Sequence, residues 1–179
     1  MPVDRRQWHH LLLTTYGAWL YGDARGFRTR HHREHVDGDY KNPPPRGLYE
    51  EKQRRSRASL VQPAVTIPSR FKELLGRAIW REFTRRGAWI LIMAVSGQHV
   101  HLLVKIERGR IRQLAGRAKR CATLEMRSQG WQGRLWGIRS HADRIQDRAH
   151  QVNTYRYIRR HIREGAWIGI WKQDPTAAT

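Results

Sequence analysis

Residues 88–106 constrain the fold more than any other stretch of the chain. Ala88 to Val95 is an unbroken apolar run, Ser96-Gly97 is a turn signal, and His99 to Ile106 is a second apolar-rich run. Runs of this length bounded by small turn residues read as strands, and two joined so tightly must pair as an antiparallel hairpin. A helical pattern lies on each side of it. Pro68 to Arg86 sets Phe71, Leu74, Leu75, Ala78, Ile79 and Phe83 at helical spacing, with Ser69 placed to cap the start. Arg110 to Arg127 sets Ile111, Leu114, Ala118, Cys121 and Leu124 on one stripe. A strand from His9 to Tyr16 and a short one around Leu135 and Trp136 complete the order strand, helix, strand, strand, helix, strand. That order predicts an α+β protein with a ferredoxin-like split βαβ arrangement, an antiparallel sheet with helices on one face. A last helix from about Ile145 to Arg163, stopped by Gly165, and an apolar tail at Trp167 to Trp171 follow.

The 179 residues fit a single domain with a long polar insertion at about 22–67. The insertion holds His31, His32 and His35, the Pro43-Pro44-Pro45 run and the charged segment Glu50 to Arg57. Its histidines form an H-H-x-x-H pattern, but their loop setting favours a solvated or DNA-contacting segment over a metal cluster.

Charge narrows the partner. The chain carries 35 Lys and Arg against 15 Asp and Glu, a net charge of +20, while 39% of its residues are hydrophobic. It can therefore bury a core, and its excess cations call for a polyanion. The arginine fork suits phosphate oxygens. Arg108, Arg110, Arg112, Arg117, Lys119 and Arg120 crowd the start of the second helix and are candidate DNA-backbone contacts. No apolar run of about 18 residues and no long basic amphipathic helix points to a membrane. Met1 to Trp8 lacks the apolar centre of a signal peptide. Cys121 stands alone, so neither a disulfide framework nor a thiolate zinc site is available. The expectation is a cytoplasmic, nucleoid-associated protein that meets nucleic acid.

His99 and His101 are two apart on a strand, so both imidazoles leave one face of the sheet while Val100 and Leu102 enter the core. A bare H-x-H is more often a surface or hydrogen-bonded pair than half of a metal site, and it needs a third ligand and a chemical partner. The last helix offers both. Tyr157 and His161 are an i, i+4 pair, with Asn153 and His150 on the same side. The apolar stripe of that helix, Val152, Tyr155, Ile158 and Ile162, is centred about 150° away, which makes Tyr155 a core residue and leaves Tyr157 facing a polar surface. A divalent ion on His99, His101 and His161 would act as Lewis acid on a phosphate oxygen, and Tyr157 would attack phosphorus. Arg156 and Arg160, beside Tyr157 in sequence, are candidates to favour phenolate and to contact DNA.

These residues resemble a known family. Gly97-Gln98-His99-Val100-His101-Leu102-Leu103-Val104 is similar to the H-hydrophobic-H strand of the HUH single-strand tyrosine transposases, which include the insertion-sequence enzymes and REP-associated relatives. Tyr157-Ile158-Arg159-Arg160-His161 resembles their catalytic helix, and Trp19-Leu20-Tyr21-Gly22-Asp23-Ala24-Arg25-Gly26-Phe27 resembles a stretch after the first strand in many members. The resemblance spans His9 to about Gly165. It implies a metal-dependent single-stranded DNA endonuclease and strand-transferase acting near hairpins through a 5′-phosphotyrosine, with Mg2+ or Mn2+. By it, Tyr157 is the nucleophile and His99 and His101 are metal ligands. The third ligand is often glutamine in the insertion-sequence enzymes, where this chain has His161. The family includes both homodimers that exchange the tyrosine helix and monomers, and leaves both open here.

The competing class is a non-catalytic, domesticated binder of hairpin DNA or RNA that kept the sheet and the basic surface. An RNA-binding ferredoxin-like sheet would carry paired aromatics, which the H-V-H strand lacks. The eight tryptophans divide between core, expected for Trp80 and Trp89, and core or base-stacking platforms, expected for Trp131, Trp136, Trp167 and Trp171. In either class the +20 charge predicts that affinity for single-stranded DNA falls by orders of magnitude between about 50 and 200 mM salt in a filter-binding titration. A flat response would remove the basic surface as the binding footprint.

Overall fold

The hairpin at the centre of the sequence is also the centre of the sheet. A computed structural model describes residues 5–28, 35–36 and 44–171, with 28, 35 and 36 as backbone. In chain order its elements are β1 (Arg6–Thr15), β2 (Phe27–Arg28), β3 (His35–Val36), α1 (Glu50–Ala58), α2 (Ser69–Arg85), β4 (Trp89–Val95), β5 (His99–Glu107), α3 (Ile111–Ser128), β6 (Trp136–Arg144), α4 (Arg148–Arg160), a 3₁₀ turn (His161–Glu164) and β7 (Trp167–Ile170). The main sheet is antiparallel in the order β6-β1-β5-β4-β7, and β2 pairs separately with β3. Strand β5 lies between β1 and β4, and β1 lies between β5 and β6. These are the two interleaved split βαβ units that the element order predicts.

Period-two alternation gives the sheet two different faces. Leu11 and Leu13 of β1, Met93 and Val95 of β4 and Val100, Leu102 and Val104 of β5 pack on Leu75, Ile79 and Phe83 of α2 and Leu114, Ala118 and Met126 of α3. Each such side chain, once fully buried, contributes about 1.5–3 kcal/mol. The opposite face is narrower: Ile92, Ala94 and Leu103 meet Ile145, Ile158 and Ala166, with Trp8 and Tyr155 at its margin. Helix α4 therefore sits alone across the sheet from α2 and α3.

Several expectations need correction. Ser69 does not cap α2; it is the first helical residue, and Pro68 with ψ 148 is the N-cap without a side-chain bond. The inner stripe of α3 is rotated, because Ala115, Ala122 and Met126 are buried while Leu124 is 57% exposed. Trp89 is 55% exposed rather than core, because β7 pairs only with Ile92–Val95 and stops short of it. Its ring instead carries the Arg6 guanidinium at 4.2 Å and the Lys105 ammonium at 5.6 Å. The apolar tail is strand β7, and Trp171 N–H donates to the Leu91 carbonyl at 3.1 Å. The charged segment of the insertion is helix α1, where Glu51 accepts from Arg54 and Arg55 one turn on. His31 and His32 lie outside the described residues, and His35 is described only as backbone of β3.

The insertion returns to the end of the sheet from which it departs. Thr15 Oγ1 donates to the Val65 carbonyl at 2.7 Å, Val65 N–H to the Tyr16 carbonyl at 2.8 Å, and Ile67 N–H to the Gly97 carbonyl at 2.7 Å. No helix among the described residues is long and apolar enough to cross a membrane.

Close packing of α2 on β7 depends on Gly76. A Cβ there would stand 2.2 Å from Cζ3 and 2.5 Å from Cε3 of Trp167. In an open helix Gly→Ala stabilises by about 0.5–1 kcal/mol, whereas overpacking costs about 1–3 kcal/mol. Gly76→Ala is therefore expected to lower the urea midpoint, and an unchanged or raised midpoint would show that the Trp167 ring is free to move aside.

Candidate functional site

The site forms where the lone helix crosses the sheet. Directly opposed residues of an antiparallel pair share a face, and β1 opposes β5 with Thr14 to His99, Leu12 to His101 and His10 to Leu103. His99 and His101 thus project on the face that carries Leu103, the face covered by α4. Helix α4 starts at Asp147, whose carboxylate accepts the His150 N–H at 2.7 Å. Its anchor is Ile158, fully buried against Leu103 and Ala94. With Ile158 fixed, the preceding Tyr157 is turned toward the histidine strand. At His161 the helix tightens into the 3₁₀ turn, which ends at Gly165 with φ 72. This tightening takes Ile162 off the expected apolar stripe and leaves it 61% exposed, while His161 is buried at 8%.

The rings of His99, His101, His161 and Tyr157 come together. His101 lies 4.6 Å from His161 and 6.0 Å from His99 between ring centroids. Tyr157 stands edge-on to His101 at 5.4 Å and to His161 at 4.9 Å, and it is 40% exposed. A fourth imidazole joins them: His10 of β1 stacks on His101 at 5.3 Å, with His10 Nε2 and His101 Nδ1 3.0 Å apart, and lies 5.8 Å from Tyr157. Sequence reasoning missed His10. It sits diagonally across the β1–β5 pair from His101, a relation that only the strand register reveals.

Hydrogen bonds and burial set the state of these rings. His161 Nδ1 lies 3.1 Å from the Tyr157 carbonyl and 3.3 Å from that of Ile158. Two carbonyl acceptors require a proton on Nδ1, so any metal ligation by His161 falls to its Nε2. Among the described residues, His99 Nε2 is buried with no hydrogen-bond partner. Burial, reinforced by the neighbouring His161, His10 and His99, pushes His101 down to about 2. Burial likewise lowers His10 and His99, and the Arg25 charge adds to the effect on His99. These three rings are neutral near pH 7, the form that ligates metals.

Among the described residues no three His, Cys, Asp or Glu side chains already stand where they would hold a metal ion. The donor set nevertheless fits one in kind, through His99 Nε2, which has no partner among the described residues, His161 held by its Nδ1, and the neutral ring of His101. Convergence requires ring rotation, including at the His10–His101 contact.

The remaining candidates lie apart from this cluster. Arg156 and Arg160 are exposed on α4, His150 Nδ1 accepts from Gln146 N–H at 3.3 Å, and Asn153 is exposed. Arg112, Arg117 and Arg120 are exposed on α3, across the sheet from Tyr157. Arg108 and Arg110 precede α3, and Arg110 bonds Glu107 at 3.2 Å. Lys119 turns inward, donating to the Gly137 and Arg139 carbonyls at 2.9 Å each, and burial lowers it to about 8.

No family model matches the sequence, and no curated protein matches it. Among solved structures the fold is similar to a REP-associated tyrosine transposase bound to a REP hairpin, with TM-score 0.48 and 14% identity over 89% of this chain and 68% of that one. A likeness of this degree assigns neither family nor activity, so the functional reading rests on the cluster itself.

The buried imidazoles make acid stability a direct test of the geometry. His101 titrates near 6.5 when unfolded and at about 2 when folded. Below pH 6.5 the unfolded chain takes up a proton that the native state refuses, so stability falls as pH drops. In chelator, His101→Gln should flatten urea stability between about pH 6.5 and 4 by up to about 1.4 kcal/mol per pH unit. Equal slopes for variant and wild type would mean that His101 is not buried as a neutral ring.

Proposed function

We propose that the chain is a metal-dependent single-stranded DNA endonuclease and strand-transferase acting at hairpin-associated sites. The observation that supports this reading is the meeting of one half-exposed phenol, Tyr157, with His101 and His161 at 5.4 and 4.9 Å in an otherwise cationic protein. In the proposed reaction Tyr157 Oη attacks the scissile phosphorus. The Oη–P bond forms, the P–O3′ bond breaks, the phenolic proton is lost and the departing 3′ oxygen gains one. The product is a 5′-phosphotyrosine that a 3′ hydroxyl can reverse or transfer. Mg2+ or Mn2+ on His99, His101 and His161 would supply Lewis-acid stabilisation of the phosphate charge. The protein's own part is to hold His99 and His101 as neutral rings, to orient His161 through the Tyr157 carbonyl, and to leave Tyr157 partly exposed. Exposed Arg156 and Arg160 on the same helix would bind flanking phosphates.

A second reading has its own support. His101 is engaged with His10, and among the described residues no three donors stand ready to hold an ion, an arrangement that also suits hairpin binding without cleavage. Incubation of hairpin-bearing single-stranded DNA with Mn2+ separates the two by whether a covalent adduct survives denaturing electrophoresis. Wild type is expected to form the adduct, Tyr157→Phe to lose it, and His99→Ala or His101→Ala to cut about 10²-fold more slowly or worse. An adduct that persists in Tyr157→Phe rejects that nucleophile, and unimpaired cutting by both histidine variants rejects the metal site. Binding without cleavage across varied hairpins favours the second reading.

A further inference from the structure

The Trp19–Phe27 stretch is not used by the chemistry above, yet it is one of the most tightly built parts of the molecule. Trp19 Nε1 donates to the Gly26 carbonyl at 2.7 Å, closing the loop, and the Arg25 guanidinium lies 4.5 Å over the Trp19 ring. Arg25 also donates to Asp23 through its backbone N–H and its Nε, at 2.9 and 2.8 Å, and to the Ala18 carbonyl at 2.8 Å. Gly22, with φ +86, lies so close to α1 that a Cβ would meet Gln53 N at 2.5 Å and the Tyr49 carbonyl at 2.6 Å. Helix α1 itself buries no residue. A rigid loop that clasps a helix contributing nothing to the core is there to shape a surface.

That surface is a cavity of about 870 Å³ between the loop, α1 and the returning segment at 60–64. Its walls are of two kinds. Leu60 and Pro63 are apolar, while Arg25, Arg57, Gln53 and Gln98 supply cationic and amide groups. The carboxylate in the lining, Asp23, is only 9% exposed at its side chain and forms an ion pair with Arg25, so these two charges cancel and Arg57 leaves the lining net positive. Gln98 adjoins His99, and Arg25 is near enough for its charge to act on the His99 ring. The cavity therefore reaches the end of β5 at which His99 stands. An apolar wall, amide donors and acceptors, and two guanidinium groups match the parts of a nucleotide: a base face, a base edge and a phosphate.

We infer that this cavity holds one unpaired nucleotide of the strand engaged at Tyr157, with its base against Leu60 and Pro63 and its phosphate toward Arg25 and Arg57. The inference rests on the single-strand reading and adds a specificity pocket to it. Because cleavage is not needed to see it, binding alone provides the test.

A fluorescent hairpin oligonucleotide with an unpaired flank would be bound to the full chain by anisotropy, with an abasic site moved through the flank one position at a time. One position is expected to weaken binding several-fold more than any other, through the loss of one base packed on an aliphatic wall. In Gln53→Trp, which fills the cavity from a helix that buries nothing, the intact strand should bind more weakly by a similar factor. The abasic site at that position should then cost no more. Arg57→Ala, at an exposed position, should weaken binding and lower the salt slope by about 1. Uniform tolerance of abasic sites, or a positional penalty that survives in Gln53→Trp, overturns the pocket while leaving strand binding intact. If wild type binds no single strand at all, the underlying reading falls and the pocket with it.

Discussion

The seating of Ile158 against Leu103 and Ala94 is the contact on which the rest of the site depends. The sheet presents His99 and His101 regardless of α4, because β5 is central and its register with β1 and β4 is fixed by the apolar residues of the other face. Helix α4 has no comparable core: its buried residues are Gln151, Thr154 and Ile158. One aliphatic side chain thus sets the rotation of a mostly polar helix. Since neighbours on a helix are about 100° apart, an error in that rotation of a single residue would carry the phenol out of the cluster.

The cluster also runs against ordinary folding energetics. Several imidazoles packed together lose hydration and cannot share positive charge, so His10, His99 and His101 are held neutral by burial. One ring nitrogen, His99 Nε2, has no partner among the described residues, and an unmet buried donor or acceptor costs about 1–3 kcal/mol. Expense of this kind concentrates where a protein binds or reacts. The main core, with Leu75, Ile79, Phe83, Leu102 and Met126 fully or nearly fully buried, is large enough to carry it.

Much of this was legible in the sequence because it depends on period and order. Alternation set His99 and His101 on one face, helical spacing put Tyr157 with His161, and the order of elements led to the split βαβ sheet that β6-β1-β5-β4 displays. What escaped depends on register and on where elements stop. His10 reaches His101 only through a diagonal across two strands distant in sequence. Ile162 leaves its stripe because the helix changes pitch at His161, and Trp89 stays outside because its neighbouring strand is short. Helix α1 was hidden by its composition, since a helix without a buried face leaves no apolar periodicity to read.

The clasp between Thr15, Tyr16 and Val65 carries a consequence for how such a protein changes over generations. The whole excursion begins and ends at adjoining points on the sheet, so its length is thermodynamically insulated from the strands beneath. Doubling such a loop costs only about 0.6 kcal/mol in closure entropy. Mutation can lengthen or shorten the segment between the two pins without touching the strand register, which the apolar face of the sheet sets. The architecture sets a fixed imidazole–phenol cluster under an exchangeable head.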